Sequence, residues 1–537
     1  MPRRKEVPAL RSLCLQSLAQ HMQSLWVKDY SDNYLDEYQF RFVMGPFNDL
    51  AGNLVQELIQ LLGESRRLTR AALHLLLVPH LQELSLRPCP SLASNAIGQL
   101  ITMRCKNLSS LDLHGCSRLS VDVLVDLAES LPQLCRLRLA GTQANVQVLS
   151  AVGSCCRRLQ ELDVSCCKKV SPRALRYLAY DPLTQTLCCP NLRVLLARDV
   201  EPVENMVPAL AFLLLALPRL EFLAHSAVPE ALCLFHECQF GGTEDTEGFP
   251  SLAELAQQRG AVPGGPPLTL SLQHIEEVED LALATIHAIC PRAKEASVWL
   301  GDAPGLASSW ELLGWDHLVR LTLGCGGQQR RMLTEVLPLL QKLGPRLQSL
   351  VLHGFCCQDE LLLPTLFASC PSLQTFSAEL HVTPDTNLHL EVPEDPPHWA
   401  TDLLPHSLTK LRSFSLTLAS TADIFPAQHR LALCATLASL LCHAPHLQTL
   451  HLLSVPFPLD SVFETVLAAA GPPLLELQEL SLAKSSVSSQ TVWLLLTSDS
   501  HLRHLDLSHC WNISRRDYDS FLKMAQMQQL ELDIAWE

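Results

Sequence analysis

The stretch CLFHEC places Cys233, His236 and Cys238 within reach of a common metal ion, and four adjacent pairs (Cys155–Cys156, Cys166–Cys167, Cys188–Cys189 and Cys356–Cys357) supply further thiols. A structural zinc needs four tetrahedral ligands, commonly reached through C-x-x-C spacing, and neighbours in a chain chelate one ion poorly. The sequence contains no C-x-x-C. A glycine-rich segment, LGCGGQQRR at 323–331, follows a strand pattern but lacks the G-K-[ST] or G-x-G-x-x-G that cradles phosphate. The acids and histidines of LDLHGC (111–116) and LDLSHC (505–510) recur at matching places in two distant segments instead of converging on one. The expectation is a chain that is not an enzyme and needs no metal and no cofactor. One spacing stands apart: in VPALRSLCLQSLAQHMQSLW (7–26), Leu10, Cys14 and Leu18 fall at i, i+4 and i+8, on one face of a helix.

The elements that position these residues come from a repeat. LQELSLRPC (from Leu81), LSSLDLHGC (Leu108), LCRLRLAGT (Leu134) and LQELDVSCC (Leu159) share L-x-x-L-x-L-x-x-[C/T], with starts 27, 26 and 25 residues apart. This is the leucine-rich-repeat signature and period. Further copies begin at Leu318, Leu347, Leu447, Leu477, Leu502 and Met527, with weaker ones near Leu192, Leu220, Ala293, Leu373 and Leu411. In each unit L-x-L reads as a short strand with alternate side chains inward, and the Cys or Thr fills a tight interior turn. A helix follows, as in SVDVLVDLAESL (120–131), where Val123, Leu124, Leu127 and Leu131 share a face and Ser120 is the N-cap. A breaker ends it: LPQL, CPNL, LPRL, GPRL, CPSL and APHL recur just before the next strand. No unit buries its apolar face alone, so the units stack. The fold class expected is α/β: a solenoid with parallel strands on the concave side of a horseshoe and helices on the convex side.

Composition agrees. Of 537 residues 48% are hydrophobic and 18% charged, which excludes a disordered chain. The formal net charge of −15 argues against nucleic acid or an anionic membrane as partner. MPRRKE reads as a solvated basic tail, and no secretory signal opens the chain. The longest apolar run, ALAFLLLAL (209–217), is less than half of what a bilayer requires. Twenty-one cysteines, many inside apolar patterns, fit a reducing compartment, cytoplasmic or nuclear. Two stretches interrupt the repeat and read as surface insertions: 240–267, rich in Gly, Pro and acid, and the proline-rich 381–406.

The unit LDLHGCSRLSVDVLVDLAESLPQL resembles the cysteine-containing subtype of leucine-rich repeat, familiar from substrate receptors of ubiquitin ligases. Residues 81–537 form the repeat domain and 1–80 a helical region ahead of it. There the second helix carries Leu50, Leu54, Leu58 and Leu61 or Leu62 as an apolar row. Both helices can seal the solenoid's end; both can also dock a partner. ALRSLCLQSL is similar to the BC-box of Elongin C-binding proteins, with Ala9, Leu10, Cys14 and Leu18 at the pattern positions. LAGNLVQEL resembles the cullin-2 box through Leu50, Leu54 and Leu58, with Ala51 where that pattern has proline; the L-P-x-P of the cullin-5 version is absent. The order matches Elongin-dependent leucine-rich-repeat receptors such as PRAME and the Zyg-type proteins. The resemblance implies Elongin B and Elongin C, a cullin, a RING subunit and a substrate protein as partners. Substrate would meet the outward strand positions: Asp112, His114, Arg136, Arg138, Glu161 and Asp163, with His504, Asp506 and His509 at the far end. Two alternatives stand beside it: an F-box-type receptor using the Skp adaptor, for which GPFNDLAGNLVQELIQLL is a partial match, and a binding scaffold with no ligase.

Overall fold

The computed structural model describes residues 2, 9–29, 45–200, 205–237, 248–260, 268–301, 308–325, 331–357, 362–382, 408–420, 427–469 and 474–536. Cys238, residues 30–44 between the two N-terminal helices and nearly all of the 381–406 insertion lie outside them. The chain divides into two compact units, one holding Pro8–Glu276 and Thr285–Arg292, the other Glu277–Ala284 and Ala293–Glu537.

In the first unit each L-x-L becomes a three-residue strand: β1 (Glu83–Ser85), β2 (Ser110–Asp112), β3 (Arg136–Arg138) and β4 (Glu161–Asp163). A small hairpin, β5 (Tyr180–Asp181) and β6 (Thr186–Leu187), precedes β7 (Val194–Leu196) and β8 (Phe222–Ala224). Apart from the hairpin, neighbouring strands pair in parallel and in register, so Leu84, Leu111, Leu137, Leu162, Leu195 and Leu223 form one buried row. Parallel pairing requires a crossover, and each return segment supplies its helix. This is a leucine-rich-repeat solenoid.

The turn after each strand explains the repeat's small residues. Three residues beyond the strand end the backbone takes φ +74° at Gly115, +68° at Gly141, +56° at Cys166 and +52° at Asp199. Glycine enters that region without steric cost; the others bear a modest one. After two of these turns the Thr or Cys of the motif satisfies the carbonyl just past β3: the Thr142 hydroxyl donates to Leu139 O at 2.6 Å, and the Cys167 thiol donates to the same oxygen at 3.1 Å.

The apolar run 209–217 forms the body of the helix Val207–Ala216 and its C-cap, Leu217, and all nine of its residues are buried. Its outer face is covered by part of the 240–267 segment, which departs from the surface loop expected there. Leu252–Gln258 is a helix with a capping box, Ser251 with Glu254, and it packs on the apolar helix. Phe249 joins Tyr177, Tyr180 and Phe212 in an aromatic cluster, with centroids 5.0 Å, 6.2 Å and 5.9 Å away. Arg259 then donates to Leu215 O and Leu214 O at 2.9 Å and 3.2 Å, capping the covered helix. Among the described residues no helix is long and apolar enough to cross a membrane.

β9 (His274–Glu279) begins in the first unit and ends in the second; it is a repeat strand absent from the expected set. The second unit continues with longer strands: β10 (Glu295–Leu300), β11 (Arg320–Cys325), β12 (Ser349–Cys357), β13 (Thr375–Val382), β14 (Ser413–Ser420) and β15 (Thr449–Leu453). β16 (Glu479–Ser481), β17 (His504–Asp506) and β18 (Asp533–Ala535) return to the short form. From β10 to β18 the pairing is again parallel. The last copy differs from expectation: Met527 closes the helix Arg515–Met527, and Ile534, not Leu530 or Leu532, pairs with Leu505.

Candidate functional site: the leucine–cysteine stripe and the strand face

The N-terminal helix α1 (Leu10–His21) runs into a wider π-helical turn, Met22–Val27. It packs on α2 (Gly52–Glu64), and the π turn packs on α3 (Arg70–Leu76). The side chains that hold it down are Leu15, Ala19, Met22 and Val27, all buried. Trp26 meets Phe47 edge-on at 5.5 Å, Gln23 bonds the Thr69 hydroxyl at 2.6 Å, and Arg11 pairs with Glu57. The Leu10–Cys14–Leu18 stripe lies on the other side. Leu10 is 78% exposed, Cys14 is exposed, Leu18 is half-buried, and Leu13 and Leu25 extend the apolar surface. A helix already anchored by one face thus offers a second apolar one.

The second helix does not present the expected row. In α2 the buried stripe is Val55, Leu58, Ile59 and Leu62, at i, i+3, i+4 and i+7. Leu58, with no exposed surface, is cap core and cannot touch a cullin; Leu50 and Leu54 are half-buried. The residues at 45–80 belong to the same compact unit as the first repeats, for α2 packs against β1 and Gly52 lies beneath the carbonyl of His80.

On the open strand face of the first unit, outward residues form two rows: Glu83–Ser110–Arg136–Glu161 and Ser85–Asp112–Arg138–Asp163. Arg136 reaches across two strands to Glu83 at 2.7 Å, and Arg138 lies 3.8 Å from Asp112. A cleft of about 350 Å³ opens between this face and α2, lined by Gln56, Gln60 and Glu64 opposite Glu83, Arg136 and Arg138. Of the predicted residues, Asp112, Arg136 and Arg138 line this cleft with α2 as its wall; Glu161 and Asp163 continue the rows on β4, and His504, Asp506 and His509 lie in the other unit.

Three predicted aspartates turn out to serve the fold. Asp112 accepts the His114 amide at 3.0 Å, Asp163 the Ser165 amide at 3.0 Å, and Asp506 the Ser508 amide at 2.9 Å. Each closes the turn two residues on, which is the aspartate's usual local bond. His509 occupies the positive-φ site of that turn (φ +58°), off the strand row, and His504 lies 3.8 Å from Asp533. The D-x-[S/H] recurrence held the signal for this. Asp506 also accepts the Ser481 hydroxyl at 2.8 Å. Burial acts to raise its pKa, but bonds from Ser508 and Ser481 outweigh it, and the carboxyl is held below the usual range. A depressed carboxylate stabilises the fold above its unfolded pKa, and that contribution disappears as pH falls through the folded value. Asp506→Ala is expected to cost about 1.5–3 kcal/mol at neutral pH, and the gap from the native chain should close in acid unfolding series. A constant gap down to the lowest pH would contradict it.

Six of the buried thiols are held protonated by their surroundings. Burial pushes Cys105, Cys116, Cys156, Cys290 and Cys370 up to about 12 and Cys510 to about 11, away from the thiolate form. Among the described residues no group of three or more His, Cys, Asp or Glu is arranged to hold a metal.

The fold is that of a leucine-rich-repeat solenoid, and α1 is an anchored helix that leaves a second apolar surface exposed. No family model matches the chain. Among solved structures it is similar to the Rad7 and Elc1 complex of yeast, at 17% identity over 72% of this chain and 97% of that one, TM-score 0.39. It is also similar to the leucine-rich repeat-containing protein LegL7 from Legionella pneumophila, at 15% identity over 56% and 83%, TM-score 0.28.

Proposed function

We propose that this chain is the substrate-recognition subunit of a cullin–RING ubiquitin ligase, docked through α1 to Elongin C and its partner Elongin B. The observation that carries the reading is the exposure of Leu10 and Cys14 on a helix whose other face is already buried in the cap. The stripe is left for another molecule, and its residue types fit the BC-box. The strand face then holds a substrate protein, and the chain forms no bond itself. Rate arises because tethering raises the concentration of substrate lysines near a charged ubiquitin-conjugating enzyme. Of the two cullins, cullin-2 is the one whose box the sequence resembles, and of its three apolar positions Leu50 and Leu54 keep some exposed surface for it. Affinity purification of the full chain from a cytoplasmic and nuclear extract, probed for Elongin C and for the Skp adaptor, tests this. Elongin C without Skp is the expected result; Skp alone would make it an F-box-type receptor, and neither adaptor would leave a scaffold.

A further inference from the structure

The two units present different strand faces. In the first, the arginines and carboxylates of neighbouring strands alternate and pair. In the second, the outward rows from β10 to β18 carry Glu295, Glu379, Glu479, Asp506 and Asp533 but one arginine, Arg320, already paired with Glu295 at 3.0 Å. Glu379 and Glu479 lie beside histidines instead, His353 at 3.6 Å and His451 at 3.3 Å. Between these acids run hydroxyls: Thr322, Ser349, Thr375, Ser377, Ser413 and Ser415. The face is neutral to acidic and rich in groups that both donate and accept hydrogen bonds.

One large side chain interrupts it. Trp299, the outward residue near the end of β10, pairs in register with Gly324 on β11, which pairs in turn with His353 on β12. A Cβ on Gly324 would meet the six-membered ring of Trp299 at 2.4 Å. The indole therefore leans across β11, over backbone that only glycine leaves bare. The six-membered ring covers Gly324, and Trp299 still keeps 36% of its surface exposed. His353 lies beyond it with ring planes 12° apart and centroids at 6.4 Å, displaced sideways from a full stack. The end of β10 is held by Arg331, which donates to Gly301 O at 2.7 Å and 3.0 Å. A fixed aromatic floor thus lies in an acid-bearing, hydroxyl-rich surface.

We propose that Trp299 is the seat for an arginine side chain carried on an extended segment of the recruited protein. A guanidinium is planar, weakly hydrated and cationic, so it stacks on indole where a hydrated ammonium does so less well. Glu379, held beside His353 and not beside an arginine, complements its charge, and the hydroxyls suit the amides of the segment that carries it. The proposal rests on the reading of the strand face as the recruiting surface and is independent of the adaptor.

The test uses the full chain and three fluorescent glycine–serine peptides, alike but for one arginine, lysine or citrulline. Citrulline keeps the planar shape and loses the charge. Anisotropy titrations at low salt should show the arginine peptide binding about tenfold more tightly than citrulline, with lysine between. Trp299→Ala should erase that preference with an unchanged melting temperature. Gly324→Ala should also erase it, because the new methyl displaces the ring, and the double variant should lose nothing further. Equal binding of arginine and citrulline, equal binding of arginine and lysine, a preference that survives Trp299→Ala, or no titration at millimolar peptide would each overturn the proposal. Failure here with Elongin C still co-purifying leaves the adaptor reading intact, and the reverse outcome leaves this one intact.

Discussion

Leu10→Asp is expected to remove Elongin C from the purified chain while leaving its melting temperature where it was. Leu10 opens α1 and is 78% exposed, so the substitution empties no core. An acid in the first helical turn also interacts favourably with the helix dipole, so α1 itself is not weakened. In the docked state the same side chain would be enclosed by apolar groups. Losing a buried leucine forfeits about 1.5–3 kcal/mol, and enclosing an unpaired carboxylate adds a larger penalty. Together they exceed the hundredfold loss in affinity that follows from about 3 kcal/mol, enough to empty a pull-down. The paired control is Leu15→Asp, five residues on and facing inward at 8% exposed. That variant should lose the cap and the adaptor together, with a lower melting temperature. Elongin C retained by Leu10→Asp would refute the docking assignment outright.

The contrast between those two leucines also shows where the sequence was readable. The i, i+4, i+8 stripe was evident, but which of two apolar faces would be buried depended on α2 and α3, which no periodicity in α1 encodes. Around α2 the same ambiguity went the other way: Leu50, Leu54 and Leu58 make as regular a row as Val55, Ile59 and Leu62, and packing against β1 buried the second row together with Leu58. The repeat itself was legible because its leucines are inward residues of strands in strict register. β9 escaped since Ile275 and Val278 replace leucine and Glu277, at φ +56°, breaks the alternation. The helix at Leu252–Gln258 escaped although its S-x-x-E start was visible, because flanking glycines and prolines dominated the composition. The setting of Trp299 is not legible in sequence, because it depends on a glycine one strand away, a relation that exists only after the strands are paired.

Phe376→Ala is expected to destabilise the second unit by about 3–5 kcal/mol, the usual cost of truncating a buried phenylalanine. Phe376 takes the inward position of β13 where most repeats place leucine, and Phe414 takes the same position on β14. The two rings lie 5.4 Å apart and nearly parallel, and Phe367 meets Phe376 edge-on at 5.0 Å. All three are fully buried, so no side chain can swing in from solvent to fill the void. Phe376→Leu, which restores the repeat's ordinary residue, leaves a smaller cavity and should cost less than half as much. A solenoid passes stability between neighbours, so the damage should be local. Amide exchange in β12, β13 and β14 should accelerate about a hundredfold or more, while β1 to β4 keep their protection. These strands also carry His353 and Glu379, so the arginine preference assigned to Trp299 should weaken in the same variant. Uniform exchange rates throughout, or an alanine variant as stable as the leucine one, would show that the aromatic cluster is not what holds this part of the sheet together.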